Sequence, residues 1–205
     1  MGWTTMPMPR EGTTEWFRQT LTWTSENGAT TRPLATAIVE RKEAYAAVET
    51  VHPDGRRQVW AAIFLLDYQP RARDGYTFGY KDMDETVGPA VCRCPEKILD
   101  MLTETESEYA NSWRQRCRER LLLRQNNKLK DGDIIQLDHK LNYSGYGEFD
   151  MFQMRLDRGR SLFYALDNET LKPQFLCRIT NWRERTFTRI DREEYLASTA
   201  PAAKM

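Results

Sequence analysis

Histidine is nearly absent from this chain, with two in 205 residues, and only four cysteines accompany it. That scarcity argues against the common structural zinc sites, which take Cys or His ligands as two closely spaced pairs. Cys92 and Cys94 stand as C-x-C, Cys117 and Cys177 stand alone, and His52 and His139 are far apart. Long apolar runs are missing too, and nothing approaches the roughly 18 residues a membrane-spanning helix needs. The opening MGWTTMPMPREG has neither the basic nor the apolar stretch of a secretory signal, and Met6 stands where a myristoylation signal takes Ser or Thr. The chain contains no GxGxxG, P-loop, GxSxG or HExxH, which argues against the common nucleotide-using and hydrolytic classes. These absences lead us to expect a cytoplasmic protein with free thiols, no cofactor, no resident metal and no membrane partner.

Net charge is also missing: thirty Lys and Arg balance thirty Asp and Glu. The balance hides a polarity. Residues 1–110 carry twelve basic and seventeen acidic side chains, whereas residues 111–205 carry eighteen and thirteen. Opposite net charges in the two halves suggest polarised surfaces or separate domains.

What is present is bulky core material, with six Trp, nine Tyr and eight Phe. GTTEWFRQTLTW reads as a short helix capped by Thr13 or Thr14, with Phe17 and Leu21 one turn apart. ATAIVERKEAYAAVETV and RRQVWAAIFLLDY read as strands joined at Asp54-Gly55, although the alanine-rich first run is also compatible with a helix. The near-continuous apolar character of VWAAIFLLDY marks a central strand buried on both faces. QPRARDGYTFGYKDMDETVGPAVCR reads as a long loop, and CPEKILDML as a helix with Pro95 at its first position. TETESEYANSWRQRCRERLLLRQNNKLK carries the best helical pattern, with a capping box from Thr105 and Glu108 and acidic residues leading basic ones.

From Asp131 the texture becomes β: GDIIQLDHKL, FDMFQMRL, SLFYAL, QFLCRI and TFTRI, divided by Ser144-Gly145, Arg158-Gly159 and Asp167-Asn168. The expected fold class is α+β. Residues 1–130 would form a small antiparallel sheet with helices, ending in a long basic amphipathic helix. Residues 131–205 would form a small β-barrel or curled antiparallel sheet, with ASTAPAAKM as a frayed tail.

Four groups of residues carry candidate chemistry. Asp82, Asp84 and Glu85 offer oxygen ligands at metal-like spacing, but they lack the apolar strand and following glycine of phosphotransfer sites. Solvated carboxylates are the simpler reading. Cys94, placed at a helix N-cap by Pro95, would have a lowered thiol pKa and nucleophilic character, against the simpler reading of a packed thiol. Arg114, Arg116, Arg118, Arg120, Arg124, Lys128 and Lys130 give residues 111–130 seven basic side chains against Glu119 alone. They flank a narrow apolar stripe of Trp113, Cys117 and Leu121, which suits either shielding by snorkelling stems or phosphate binding. RITNWRERTFTRI interleaves Trp182, Arg183 and Arg185 with Phe187 and Arg189, as single-strand nucleic-acid platforms do and as a sheet with buried aromatics also does.

MGWT, GYKDMDETVGP, CPEKILDML, WRQRCRERL and the GDIIQL that opens the β-rich tail resemble a group of uncharacterised bacterial proteins. These are carried largely by phages, plasmids and integrative elements and classed as a domain of unknown function. The resemblance implies a bacterial cytosolic setting and an accessory role in a mobile element, and it supplies no catalytic residues. Two functions follow as expectations. The first is non-catalytic binding of nucleic acid, or of an acidic or nucleoprotein partner such as a host-defence complex, through the arginine helix and the Trp182 segment. The second is a metal-dependent or cysteine-based hydrolase or transferase using the 80–94 loop, with Asp82, Asp84, Glu85 or Cys94.

Overall fold

The computed structural model describes residues 2–69 and 75–199. The chain divides into two compact units, Met1–Leu121 and Leu122–Met205. Each is organised on an antiparallel sheet, so the α+β class read from the sequence holds.

The first unit runs β1 (Thr4–Met6), α1 (Thr13–Thr20), β2 (Trp23–Thr24), β3 (Thr30–Val39), β4 (Glu43–Val51), β5 (Arg57–Tyr68), β6 (Phe78–Asp84), α2 (Glu96–Leu99) and α3 (Glu108–Asn126). Its six strands lie in the order β1-β6-β5-β4-β3-β2. Each face of this sheet carries a packed core. Tyr45, Ala47, Val59, Ala61 and Ile63 pack against Ile98, Leu99, Trp113 and Cys117. On the other face Ala44, Ala46, Val48, Ala62, Phe64 and Leu66 pack against Trp16, Phe17 and Leu21. Two-sided burial explains why VWAAIFLLDY shows no polar alternation. The alanines of β4 leave room for the rings above them, where Phe17 and Trp16 meet Phe64 edge-on at 4.8 and 5.8 Å.

The structure corrects several sequence readings in this unit. ATAIVERKEAYAAVETV is neither one strand nor a helix: it is the end of β3, a tight turn and β4. Glu40 and Arg41 both take positive φ, 51° and 57°, and the Lys42 N–H closes the turn on the Val39 carbonyl. A two-residue turn of this hand fits the twist of the flanking strands, but its usual Asn-Gly signal is absent here. Phe78–Asp84, read as loop, is a strand paired with β5 on one side and with β1 on the other. Residues 70–74 of the expected loop lie outside the described residues. Helix α1 begins after Gly12 without a side-chain cap, so neither Thr13 nor Thr14 caps it. At α3 the Ser107 hydroxyl, rather than Thr105, accepts the Ala110 N–H.

The second unit runs β7 (Ile134–Tyr143), β8 (Gly147–Asp157), β9 (Arg160–Leu166), β10 (Pro173–Cys177), β11 (Phe187–Ile190) and α4 (Arg192–Thr199). All five expected strands are there, in a curled sheet of order β10-β9-β8-β7-β11. Ile135, Leu137, Phe152, Met154 and Phe163 form one core with Trp182. Ile134, Met151 and Leu166 form another, against which Tyr195 and Leu196 of α4 pack. Helix α4 was not expected. It takes in Ala197–Thr199 of the tail read as frayed, and residues 200–205 lie outside the described residues.

One polar contact crosses the first unit's core. The Arg114 guanidinium meets Glu85 through two hydrogen bonds, Nε to Oε2 at 2.5 Å and a terminal nitrogen to Oε1 at 2.6 Å. Its remaining terminal nitrogen donates to the Thr103 carbonyl at 2.6 Å, and Glu85 Oε1 also accepts the Ala61 N–H at 3.2 Å. Glu85 is 2% exposed and Arg114 7%, so the pair is desolvated and depends on this complete set of partners. Arg114→Met should therefore cost about 3–5 kcal/mol in urea unfolding, because it strands a buried carboxylate. Glu85→Leu combined with Arg114→Met should recover most of that loss. Equal losses in the single and double variants would show that the charge pairing is not what matters.

Candidate functional site

The nine residues expected to bind a partner fall into four environments. Arg114 is in the core, engaged by Glu85 and Thr103. Arg116 and Arg120 are half-buried, Arg116 donating to the Pro89 carbonyl at 3.0 Å, and Arg118 is exposed. The border of the apolar stripe is therefore not a continuous basic surface. Arg124 and Lys128 lie beyond it and come together with Trp182 and Arg183 around one groove of about 380 Å³.

Local chemistry builds this groove within the second unit. Helix α3 ends at Asn126, and the Asn127 N–H still bonds back to the Leu123 carbonyl at 2.8 Å. The Asn127 side-chain amide then donates to the carbonyls of Arg183 and Arg185 at 3.0 and 2.8 Å. The Arg189 guanidinium donates to the Lys128 carbonyl. Asn181, at φ 55°, turns the chain into a short 3₁₀ segment, Trp182–Glu184. Its positive φ is one that Asn tolerates better than most residues. Trp182 is 8% exposed and packs edge-on against Phe163, with ring centroids 5.8 Å apart. The Arg183 guanidinium lies 5.2 Å from the Trp182 ring centre, a cation–π contact. Arg185 is turned aside, donating to the Thr180 carbonyl at 3.0 Å and to His139 Nε2 at 2.9 Å.

The electrostatics of the groove are one-sided. Arg124, Lys128 and Arg183 are exposed, and among the described residues none forms an ion pair. Among the described residues no carboxylate lines the groove, which is completed by Asn127, Ser161, Gly159 and apolar side chains. Two other cations of this unit do have acidic partners, Arg155 with Asp131 at 3.3 Å and Arg189 with Asp133 at 3.8 Å. Three cations without ion pairs among the described residues, with the Ser161 hydroxyl beside them, have the chemistry that a phosphate or carboxylate would take. Trp182 supplies its floor rather than an open stacking face.

The 80–94 stretch presents a different picture. Asp82 and Asp84 share one face of β6, whereas Glu85 turns into the core toward Arg114, so the three carboxylates do not converge. Among the described residues, no group of three or more His, Cys, Asp or Glu side chains is placed to hold a metal. Pro95 is the N-cap of α2 rather than its first residue, and Cys94 lies outside the helix, fully buried. Burial pushes its thiol pKa up, with the Glu85 charge adding to the effect, which reverses the expected activation. The thiol drawn down, to about 7, is that of Cys92, by a hydrogen bond with Cys117 and against burial, with Arg116 and Arg120 assisting. In native protein at neutral pH, thiol-reactive probes should modify Cys177, which is only half-buried, well before Cys94. Cys94 should react only as urea unfolds the chain. Labelling of native Cys94 ahead of Cys177 would restore it as a nucleophile.

Among known protein families, residues 104–182 match the model of one described as a domain of unknown function (DUF6927). The match covers less than half of the chain and takes in α3, β7 to β10 and Trp182. No curated protein and no solved structure matches the chain.

Proposed function

We propose that this chain acts by binding, without catalysis, and that its ligand is nucleic acid, alone or within a nucleoprotein complex. In this reading it is an accessory protein of a mobile genetic element, directed at nucleic acid or at a host-defence assembly that carries it. One observation supports the reading above the others: Arg124, Lys128 and Arg183 surround a single groove with no acidic partner among the described residues. Solubility alone does not call for three unpaired cations around one concavity in a chain of zero net charge.

The mode of contact follows from the side chains. Guanidinium and ammonium groups recognise phosphate oxygens, and the Ser161 hydroxyl adds a neutral donor to the same groove, whereas both Asn127 amide hydrogens are already engaged by carbonyls. Trp182 is buried under Arg183, so base stacking contributes little and sequence preference is weak. Binding of this kind is driven by counterion release and weakens steeply with salt.

Three phosphate contacts give a slope of log K against log salt of about −2 to −3, for single strands and duplex respectively. Lys128→Glu and Arg183→Glu should each weaken binding of a labelled oligonucleotide and flatten that slope by about 1, whereas Arg118→Glu should leave the slope nearly unchanged. Fluorescence anisotropy across a salt series reads both quantities. Binding that ignores salt, or that survives Lys128→Glu combined with Arg183→Glu, would overturn the proposal.

A further inference from the structure

The first unit holds a cleft of opposite character. On the sheet face covered by α1, the helix stops at Thr20, and the face continues past it uncovered. There Trp60 and Ala62 of β5 lie beside Asp82 and Asp84 of β6, with Ala62 in register with Asp84 and Phe64 with Asp82. Leu21 and Trp23 close the far side, leaving a cleft of about 290 Å³. Trp23 is 49% exposed, and the Trp60 indole is fixed by its N–H bond to the Thr50 hydroxyl at 2.9 Å.

Among the described residues, two carboxylates and no cation line this cleft. Asp82 forms no hydrogen bond or ion pair among the described residues. Asp84 uses Oδ1 for the Thr86 N–H and hydroxyl, which leaves Oδ2 without a partner. In register with Trp23 on one side and Thr50 on the other, Thr31 carries a hydroxyl with no hydrogen-bond partner, in a residue 2% exposed. Buried unpaired hydroxyls are uncommon in folded proteins, but Thr31 is not among the residues that line the cleft.

We propose that this cleft binds a guanidinium group, presented as an arginine side chain of a partner polypeptide. Charge complementarity selects the occupant. Aspartates two residues apart on one strand are about 6.5 Å apart along it, which lets a planar fork of N–H donors reach both. The flat faces of the guanidinium suit the indoles of Trp23 and Trp60, whereas a compact, strongly hydrated ammonium gains less from them. A divalent metal fits less well, because Glu85, the nearest further carboxylate in sequence, faces Arg114 in the core. The site is independent of the basic groove of the second unit, and its test does not depend on nucleic-acid binding.

The probe is Nα-acetyl-arginine methylamide, with the lysine analogue and Mg²⁺ as separate arms, followed through the indole N–H resonances of Trp23 and Trp60. The arginine compound should shift both signals saturably, and the lysine compound should do so more weakly. Asp82→Asn should weaken the arginine response about tenfold, as loss of a charge-assisted hydrogen bond does. Asp82 is exposed and its side chain forms no hydrogen bond or ion pair among the described residues, so this variant tests binding rather than folding. Trp23→Leu should weaken the response as a second, uncharged substitution. Equal shifts from the arginine and lysine compounds, saturation by Mg²⁺ alone, or an unchanged response in Asp82→Asn would overturn the proposal.

Discussion

The buried pair of Glu85 and Arg114 is the constraint on which the first unit depends. Two ions removed from water repay their desolvation only when every donor and acceptor is matched. Here the matching ties four pieces of chain together: the end of β6 through Glu85, β5 through the Ala61 N–H, the segment before α3 through the Thr103 carbonyl, and α3 through Arg114 itself. The turn that carries Glu85 is fixed as well. Asp84 caps it, and Gly88 closes it at φ 62°, where an added Cβ would lie 3.4 Å from the Tyr109 ring. The density of reactive side chains between Asp82 and Cys94 is thus largely the chemistry of closing a core. Trp113 adds to it by donating its indole N–H to the Val91 carbonyl at 2.8 Å.

That closure also accounts for what the sequence displayed and what it hid. The strands of the second unit were legible because each is rich in β-formers and bounded by turn residues such as Arg158-Gly159, where φ is 48° and 77°. The doubly buried β5 was legible from its unbroken apolar run. β6 was not, because in FGYKDMD the face that begins with Phe78 and Tyr80 continues with Asp82 and Asp84, which breaks the apolar alternation. Its Asp82 and Asp84 lie where α1 no longer covers the sheet, so the usual apolar side of a strand is acidic there. The turn between β3 and β4 was hidden because Glu40 and Arg41 adopt a conformation that glycine or asparagine normally signals.

The candidate site shows the same limit in sharper form. In sequence, Arg114, Arg116, Arg118, Arg120 and Arg124 look like one basic series. In the structure Arg114 is a core residue, Arg116 and Arg120 are half-buried, and only Arg124 reaches the groove. Helical spacing gives the angle of each side chain but not the partner waiting there, and Glu85 is twenty-nine positions away from Arg114. The meeting of Lys128 with Arg183 is a tertiary event as well, made by Asn127 bridging to the carbonyls of Arg183 and Arg185. No spacing in the sequence announces it. The opposite charges of the two halves, by contrast, were legible at once, and they reappear as an acidic cleft in one unit and a basic groove in the other.

The account stands or falls on whether nucleic acid contacts the groove that holds Arg124, Lys128 and Arg183. Hydrogen exchange of the intact chain at low salt, with and without a saturating oligonucleotide, locates that contact without altering a residue. The account predicts slowed exchange over residues 122–129 and 181–185, with the sheet of the first unit unchanged. No protection anywhere, or protection confined to residues 20–87 around the acidic cleft, would contradict it.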